Sequence, residues 1–138
     1  MVRDCINLGT IKTDSISLYY YGAAISGIVC YSDEIRNCRN QGDIIVQECS
    51  WINLGGISST SSNIFDCLNS GNVSIQSSFP QIYTKIGGIS GEATIASRCK
   101  NTGKISCETT NQEQRTPEQI DIGGILGSGA TMSECLNI

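Results

Sequence analysis

The residues with the greatest capacity for chemistry are eight cysteines in a chain of 138 residues. Thiols can form disulfides, bind zinc or act as nucleophiles. The sequence contains no histidine, which excludes Ser-His-Asp and Cys-His catalysis as well as histidine-based metal sites. A four-cysteine zinc site needs Cys-x-x-Cys pairs, but the closest cysteines, such as Cys30 and Cys38, lie eight residues apart. We therefore predict no metal site and no cofactor.

The spacing of the cysteines reveals a repeat. Five cysteines each open a Cys-x-Asn motif, and successive members lie 33, 29, 32 and 36 residues apart. In the first four copies the motif extends to Cys-x-Asn-x-Gly-x-Ile, with Val73 once replacing the isoleucine. The cysteines are Cys5, Cys38, Cys67, Cys99 and Cys135, and the asparagines are Asn7, Asn40, Asn69, Asn101 and Asn137. A Gly-Ile pair precedes each of the last four cysteines by ten residues, with its isoleucine at Ile28, Ile57, Ile89 and Ile125.

The repeat predicts strands rather than helices. Its apolar and small residues recur with period two, whereas helical repeats need longer segments with a 3.6-residue period. Asn and Gly adopt positive φ most readily, so we expect that conformation where the chain turns at Asn-x-Gly. One unit of about 30 residues cannot bury its isoleucines alone, but units stacked at about 4.8 Å can. We predict an all-β fold, a single-domain parallel β-solenoid over residues 1–138 with four to five coils.

Stacking turns each position of the repeat into a ladder along the axis. We expect the five motif asparagines to form a hydrogen-bonded amide ladder and two sets of isoleucines to form apolar ladders. The five motif cysteines are predicted to be packed thiols, because a buried free cysteine behaves as a small hydrophobe. Five stacked members cannot all pair as disulfides. Cys30, Cys49 and Cys107 lie outside this ladder.

Several segments resemble the GLUG motif of bacterial repeat proteins. The resemblance rests on Ile86-Gly-Gly-Ile-Ser-Gly91 and Ile122-Gly-Gly-Ile-Leu-Gly127, each followed by the cysteine motif, and on Ile35 to Ile44. GLUG repeats occur in large surface and secreted proteins, including adhesin-like proteins and streptococcal IgA-specific metallopeptidases. The resemblance implies a β-solenoid stalk or display surface outside any catalytic part. The chain departs from the motif at Ala24-Ile-Ser-Gly27, which lacks the double glycine, and at Ser59. It contains no His-Glu-x-x-His, so none of the peptidase chemistry is expected.

Variable segments separate the repeated motifs, and we interpret them as loops. They span Lys12 to Ser26, Ile45 to Gly55, Ser74 to Gly87 and Ser106 to Gly123. They carry most of the aromatic side chains: Tyr19, Tyr20, Tyr21, Trp51, Phe79 and Tyr83. Because loops commonly bind ligands, these residues are a candidate surface for a host glycan or protein. The alternative, which we favour, is that they cover the open edge of a third sheet.

The charged residues do not indicate an enzyme. Polysaccharide lyases and hydrolases also use parallel β-helices, but their sites need carboxylates on adjacent coils. The position before the motif cysteine holds residues of mixed sign, which indicates a solvated row: Asp4, Asn37, Asp66, Arg98 and Glu134. The net charge of −4 argues against nucleic-acid binding, and no apolar run is long enough for a membrane span. We predict a non-catalytic structural or display segment of a cell-surface or secreted adhesin-like protein, with a carbohydrate-binding or carbohydrate-active module as the alternative.

The ends of the chain show no polar capping segment and no signal peptide. Uncapped solenoid ends expose unpaired backbone groups. Two hypotheses follow. We prefer the hypothesis that the chain is a fragment of a longer array. The other is that copies associate head to tail into oligomers.

Overall fold

The computed structural model describes residues 1–14, 22–78, 83–109 and 119–138. All regular structure in these ranges is β-strand, and the strands form four parallel sheets stacked along one axis. Successive turns are about 32 residues apart, and there are about four of them. The predicted parallel β-solenoid is therefore confirmed. In the described ranges no helix has the length and hydropathy of a membrane span.

We number the four sheets 1 to 4 in the order in which the chain first enters them, and we count each coil from its sheet 4 strand through sheets 1, 2 and 3. Sheet 1 contains Val2–Arg3, Val29–Arg36, Ser58–Phe65, Ser90–Ser97 and Leu126–Ser133. Sheet 2 contains Ile6–Asn7, Arg39–Asn40, Leu68–Asn69, Lys100–Asn101 and Leu136–Asn137. Sheet 3 contains Ile11–Thr13, Ile44–Gln47, Val73–Ser77 and Ile105–Thr109. Sheet 4 contains Ala23–Ser26, Trp51–Gly55, Tyr83–Gly87 and Gln119–Gly123.

Sheet 4 corrects the interpretation of the variable segments as loops. These segments contribute all the strands of sheet 4 and most residues of the strands of sheet 3. They form strands because alternate residues, such as Ile52 and Leu54, are fully buried against the next coil. Length variation is confined to the junction between sheets 3 and 4, at residues 14–22, 48–50, 78–82 and 110–118. The other three junctions keep the same length in every coil.

The apolar ladders fill two separate columns of the interior. One column contains Ile57, Ile89 and Ile125 together with the inward side chains of sheet 1. The other contains Ile44 and Val73 together with the inward side chains of sheets 3 and 4. The isoleucines are therefore stacked in register as predicted, but they do not share one core.

A corner of glycines separates the two columns. At the junction of sheets 4 and 1, a Cβ atom on Gly88 would lie against the side-chain amide of Asn101 and the carbonyl oxygen of Gly124. Gly56 meets Asn69 in the same way one coil earlier. The corner therefore reaches the asparagines of sheet 2 on the opposite side of the coil. Any larger residue at this corner would displace that amide.

The prediction that the Asn-x-Gly turn uses positive φ is wrong. No glycine has a positive φ, and all 15 glycines lie in the described ranges. A glycine is needed at this turn because of coil spacing, since a Cβ on Gly71 would overlap the backbone carbonyl of Gly42. Positive φ angles of 51–56° occur instead at Glu48 and in the row of residues that precede the motif cysteines: Asp4, Asn37, Asp66, Arg98 and Glu134.

Candidate functional site

The motif asparagines form a continuous ladder of hydrogen bonds, which we call the asparagine ladder: Asn7, Asn40, Asn69, Asn101 and Asn137. The Nδ2 of each of the first four donates to the Oδ1 of the asparagine in the next coil at 2.7–2.8 Å. The second hydrogen of each of the first four Nδ2 atoms goes to the carbonyl oxygen of the turn glycine two residues later. The three central side chains are at most 1% exposed. The interior amides are therefore saturated and not available to a ligand.

The motif cysteines stack beside the asparagines and form the cysteine ladder: Cys5, Cys38, Cys67, Cys99 and Cys135. Consecutive coils are joined here by backbone hydrogen bonds, such as Leu68 N to Cys38 O at 3.0 Å. All five are thiols, as the packing argument expects. A hydrogen bond with Cys99 and burial raise the pKa of Cys67, and burial raises the pKa of Cys38. A thiol that stays protonated is a poor nucleophile, so Cys38 and Cys67 are suited to packing. The hydrogen bond with Cys67 lowers the pKa of Cys99.

The remaining cysteines are divided between the interior and the surface. Cys49 is 1% exposed and lies in the second column, where burial raises its pKa to about 11. Cys107 contacts the same column. Cys30 is exposed, and its Sγ lies 3.3 Å from the carbonyl oxygen of Ala24. The described ranges contain no group of three or more His, Cys, Asp or Glu side chains that could hold a metal ion.

The outer faces of sheets 4 and 1 are joined by side-chain contacts across the glycine corner. Asn53 Nδ2 donates to Thr60 Oγ1 at 3.2 Å, and one coil later Lys85 Nζ donates to Glu92 Oε2 at 2.8 Å. The Lys85 side chain is only 7% exposed. Burial alone would lower the pKa of Lys85, but the hydrogen bond to Glu92 raises it above its ordinary value. These contacts hold the two sheets together and keep the Lys85 ammonium charged.

Of the candidate aromatic surface, the structure brings Trp51 and Tyr83 together. They are paired on adjacent strands of sheet 4, with ring centroids 5.5 Å apart and a tilt of 47°. On its other side, Trp51 packs over Gly22, where a Cβ would lie 3.0 Å from the indole ring. Sugar stacking needs an exposed ring face, whereas Trp51 exposes 41% of its surface between two neighbours. This geometry favours a structural role for the pair. Tyr19, Tyr20, Tyr21 and Phe79 lie outside the described residues.

The row before the cysteine ladder is exposed, as the mixed charges indicate. Its members contact one another along the axis. Asn37 Nδ2 donates to Asp4 Oδ1 at 2.7 Å, and Arg98 makes two hydrogen bonds to the Asp66 carboxylate. The hydrogen bond from Arg98 lowers the pKa of Asp66. The row is therefore a chain of surface contacts between coils, without the adjacent carboxylates that a glycosidase needs.

One row of residues on the outer face of sheet 2 was not predicted from the sequence as a candidate site. The residue between the cysteine and the asparagine of each motif alternates between aliphatic and cationic: Ile6, Arg39, Leu68, Lys100 and Leu136. The structure pairs these residues in register on the outer face of sheet 2. In the sequence, these five residues occupy the variable position x of the Cys-x-Asn motif. We call these five residues the sheet 2 stripe.

Comparison with known proteins gave no match to a family model, to a curated protein or to a solved structure.

Proposed function

We propose that this chain is a non-catalytic structural and display segment of a cell-surface or secreted, adhesin-like protein. The proposal rests on where the chemically reactive side chains lie. The central amides and thiols of the asparagine and cysteine ladders are buried in the interior contacts between coils. The resemblance to GLUG repeats supports the same role.

The position of length variation supports display. Three of the four junctions have constant length, whereas the junction between sheets 3 and 4 ranges from residues 48–50 to the longer 14–22 and 110–118. Insertions at this junction therefore leave the stacked sheets unchanged. A rigid rod that tolerates variation along one edge can present different segments at the same height on its surface.

The alternatives have less support. Sugar binding by ring stacking would need a free aromatic face, and Trp51, although 41% exposed, packs over Gly22 and against Tyr83. A self-associating solenoid is the other alternative, and light scattering across a concentration series tests it.

Insertion of an epitope tag tests the display role. We would place the tag between Cys49 and Ser50, which leaves the buried Cys49 joined to its own strand, in the junction where other coils carry longer segments. A matched insertion would be made within residues 41–43, where every coil has three residues. The first variant should fold with a melting temperature near that of the parent and bind the antibody. The second should unfold. On cells that produce the protein, the antibody should label the first variant without permeabilisation.

Three results would contradict the proposal. Unfolding of the 48–50 insertion would remove the display role, and tag accessibility only after permeabilisation would remove the cell-surface location. New reducing ends after incubation of the parent chain with polygalacturonate would show that the chain is an enzyme.

A further inference from the structure

The sheet 2 stripe is an exposed row in fixed register. Within each short strand the asparagine points inward, so the preceding residue faces solvent. Arg39 and Lys100 are exposed, and Leu68 between them is half-buried. Backbone hydrogen bonds hold this spacing, from Leu68 N to Cys38 O at 3.0 Å and from Lys100 N to Cys67 O at 2.8 Å.

The cations of the stripe differ from most other cations of the described chain in having no carboxylate partner. Five described cations form ion pairs: Arg3 with Asp4, Lys12 with Asp14, Arg36 with Glu34, Lys85 with Glu92 and Arg98 with Asp66. No described carboxylate forms an ion pair with Arg39, Lys100 or Lys104. Lys104 is also exposed and follows Lys100 by four residues. Cations without an ion-pair partner therefore lie on the outer face of sheet 2, and Lys104 lies beside it in a row that also contains Asp43 two coils earlier.

The rest of the molecule has the opposite charge. The strands of sheet 2 contain no Asp or Glu, whereas the whole chain has a net charge of −4. A polyanion is therefore attracted to the stripe itself and repelled by its surroundings, which include the exposed carboxylates Asp4, Asp66 and Glu134 in the adjacent row. Such an asymmetry orients a ligand along the axis of the rod.

The dimensions of the stripe suit a linear ligand. Arg39 and Lys100 are two coils apart, roughly 9.6 Å at the usual strand spacing, and Leu68 offers an apolar contact between them. A folded protein partner would need about 800 Å² of surface, which strands two residues wide do not provide. Single-stranded nucleic acid uses aromatic platforms for its bases, and the stripe has no aromatic residue.

We propose that the sheet 2 stripe binds a linear acidic polysaccharide. Carboxylate or sulfate groups of the polymer contact Arg39 and Lys100, the C–H face of an intervening sugar packs on Leu68, and Lys104 adds charge at the same end. The inference goes beyond the structural and display role and does not depend on it. Because only two or three cations take part, binding is weak per site and sensitive to salt.

Fluorescence anisotropy with labelled polymers tests this inference. The probes are oligogalacturonate, which carries carboxylates, dextran sulfate, which carries sulfates, neutral dextran and a single-stranded oligonucleotide. We expect binding of one or both acidic polysaccharides, no binding of neutral dextran, and weaker binding as salt is added. The acidic polymer that binds more tightly shows whether the stripe prefers carboxylate or sulfate groups.

Two double variants distinguish binding at the sheet 2 stripe from attraction by the overall charge of the chain. Arg39→Gln/Lys100→Gln should lower the affinity by about tenfold or more, equivalent to about 1.4 kcal/mol. Lys12→Gln/Arg36→Gln removes the same charge from ion-paired positions on sheets 3 and 1, and it should change the affinity by about twofold at most. Leu68→Glu, which places a carboxylate between the two cations, should also weaken binding. Circular dichroism and melting curves establish that each variant is folded.

Three results would overturn the inference. An equal loss of affinity in both double variants would assign binding to net charge. Equal affinity for the oligonucleotide would show a general polyanion surface, and failure of the parent chain to bind either acidic polymer at low salt would remove the site. None of these results bears on the display role, which the tag insertions test separately.

Discussion

Asn69 lies at the centre of the asparagine ladder, where it accepts a hydrogen bond from Asn40 and donates to Asn101 and Gly71. Asn69→Ala leaves the buried Asn101 Oδ1 without its donor, so we expect a loss of about 2–3 kcal/mol in the free energy of unfolding. Urea denaturation measures it. Asn63→Ala is the matched control, because its half-buried amide makes one long bond, of 3.4 Å, to Asp33. A similar loss in both variants would contradict a special role for the ladder.

The raised pKa of the buried Cys49 thiol predicts lower stability in alkaline solution. Cys49 ionises at about pH 11 in the folded chain, but at about 8.5 when unfolded. The contribution of the protonated Cys49 thiol to the free energy of unfolding is complete below about pH 8.5 and is lost as the pH rises to about 11. There the unfolding free energy falls by about 1.4 kcal/mol per pH unit for each such thiol.

Variants of single cysteines test this pH dependence. Cys49→Ala should give a shallower fall of stability between pH 9 and pH 11, roughly the range set by the two ionisation steps. Cys30→Ala changes an exposed thiol and serves as the control. Urea denaturation across this range provides the slopes, and the comparison is between slopes because the alanine also loses packing. Equal slopes in the parent and Cys49→Ala would contradict the assignment.

The positive-φ positions show what residue types alone do not reveal. Among them, Asp66 and Asn37 belong to types that tolerate this conformation, but Arg98 and Glu134 do not favour it. The conformation is imposed by the turn between sheets 1 and 2, which is the same in every coil. It could not be predicted from the sequence, because the residues at this position share no chemical type.

At the scale of the structural elements, the glycine corner between sheets 4 and 1 determines the shape of each coil. Gly88→Ala would place a methyl group against the Asn101 amide and the Gly124 carbonyl. We expect a loss of more than about 2 kcal/mol, because buried backbone would have to move. Gly9→Ala is the matched control, since its methyl group would lie 3.8 Å from Asn7 Oδ1. Melting curves of the two variants give the comparison, and equal melting temperatures would show that the corner accommodates a side chain.

Sheets 1 and 2 and the ladders were accessible from the sequence, whereas sheet 4 was not. The repeated residues, such as Cys67, Asn69 and Ile57, recur at fixed spacing because each packs on its equivalent in the next coil. The sheet 4 strands use different inward residues, for example Ile52 in one coil and Thr84 in the next. A buried position in sheet 4 needs a side chain of suitable shape but not one particular residue type, so no repeated motif appears in the sequence. Each corner glycine lies 13 residues before the asparagine that it contacts. The spacing is visible in the sequence, but only the fold shows that the two residues meet.

At the scale of the whole molecule, contacts run mainly between neighbouring coils. Sheet order follows chain order in all four sheets, so a residue far along the sequence is reached only through the coils between. Stability in such a molecule is close to a sum of coil and interface contributions. Ile28, the first member of its ladder, is only partly buried, whereas Ile57 one coil later is fully buried. The same substitution should therefore have different effects at the two heights.

Ile28→Ala and Ile57→Ala compare one ladder position at these two heights. Ile57→Ala removes a fully buried side chain, and we expect a loss of about 3 kcal/mol with faster hydrogen exchange in the coils on both sides. Ile28→Ala should cost about 1 kcal/mol and accelerate exchange only at this end of the solenoid, since the coils after Ile57 keep their contacts. Hydrogen exchange with mass spectrometry resolves the two patterns. Global acceleration by both variants would show that the solenoid unfolds as a single cooperative unit, with no independent opening of its terminal coil.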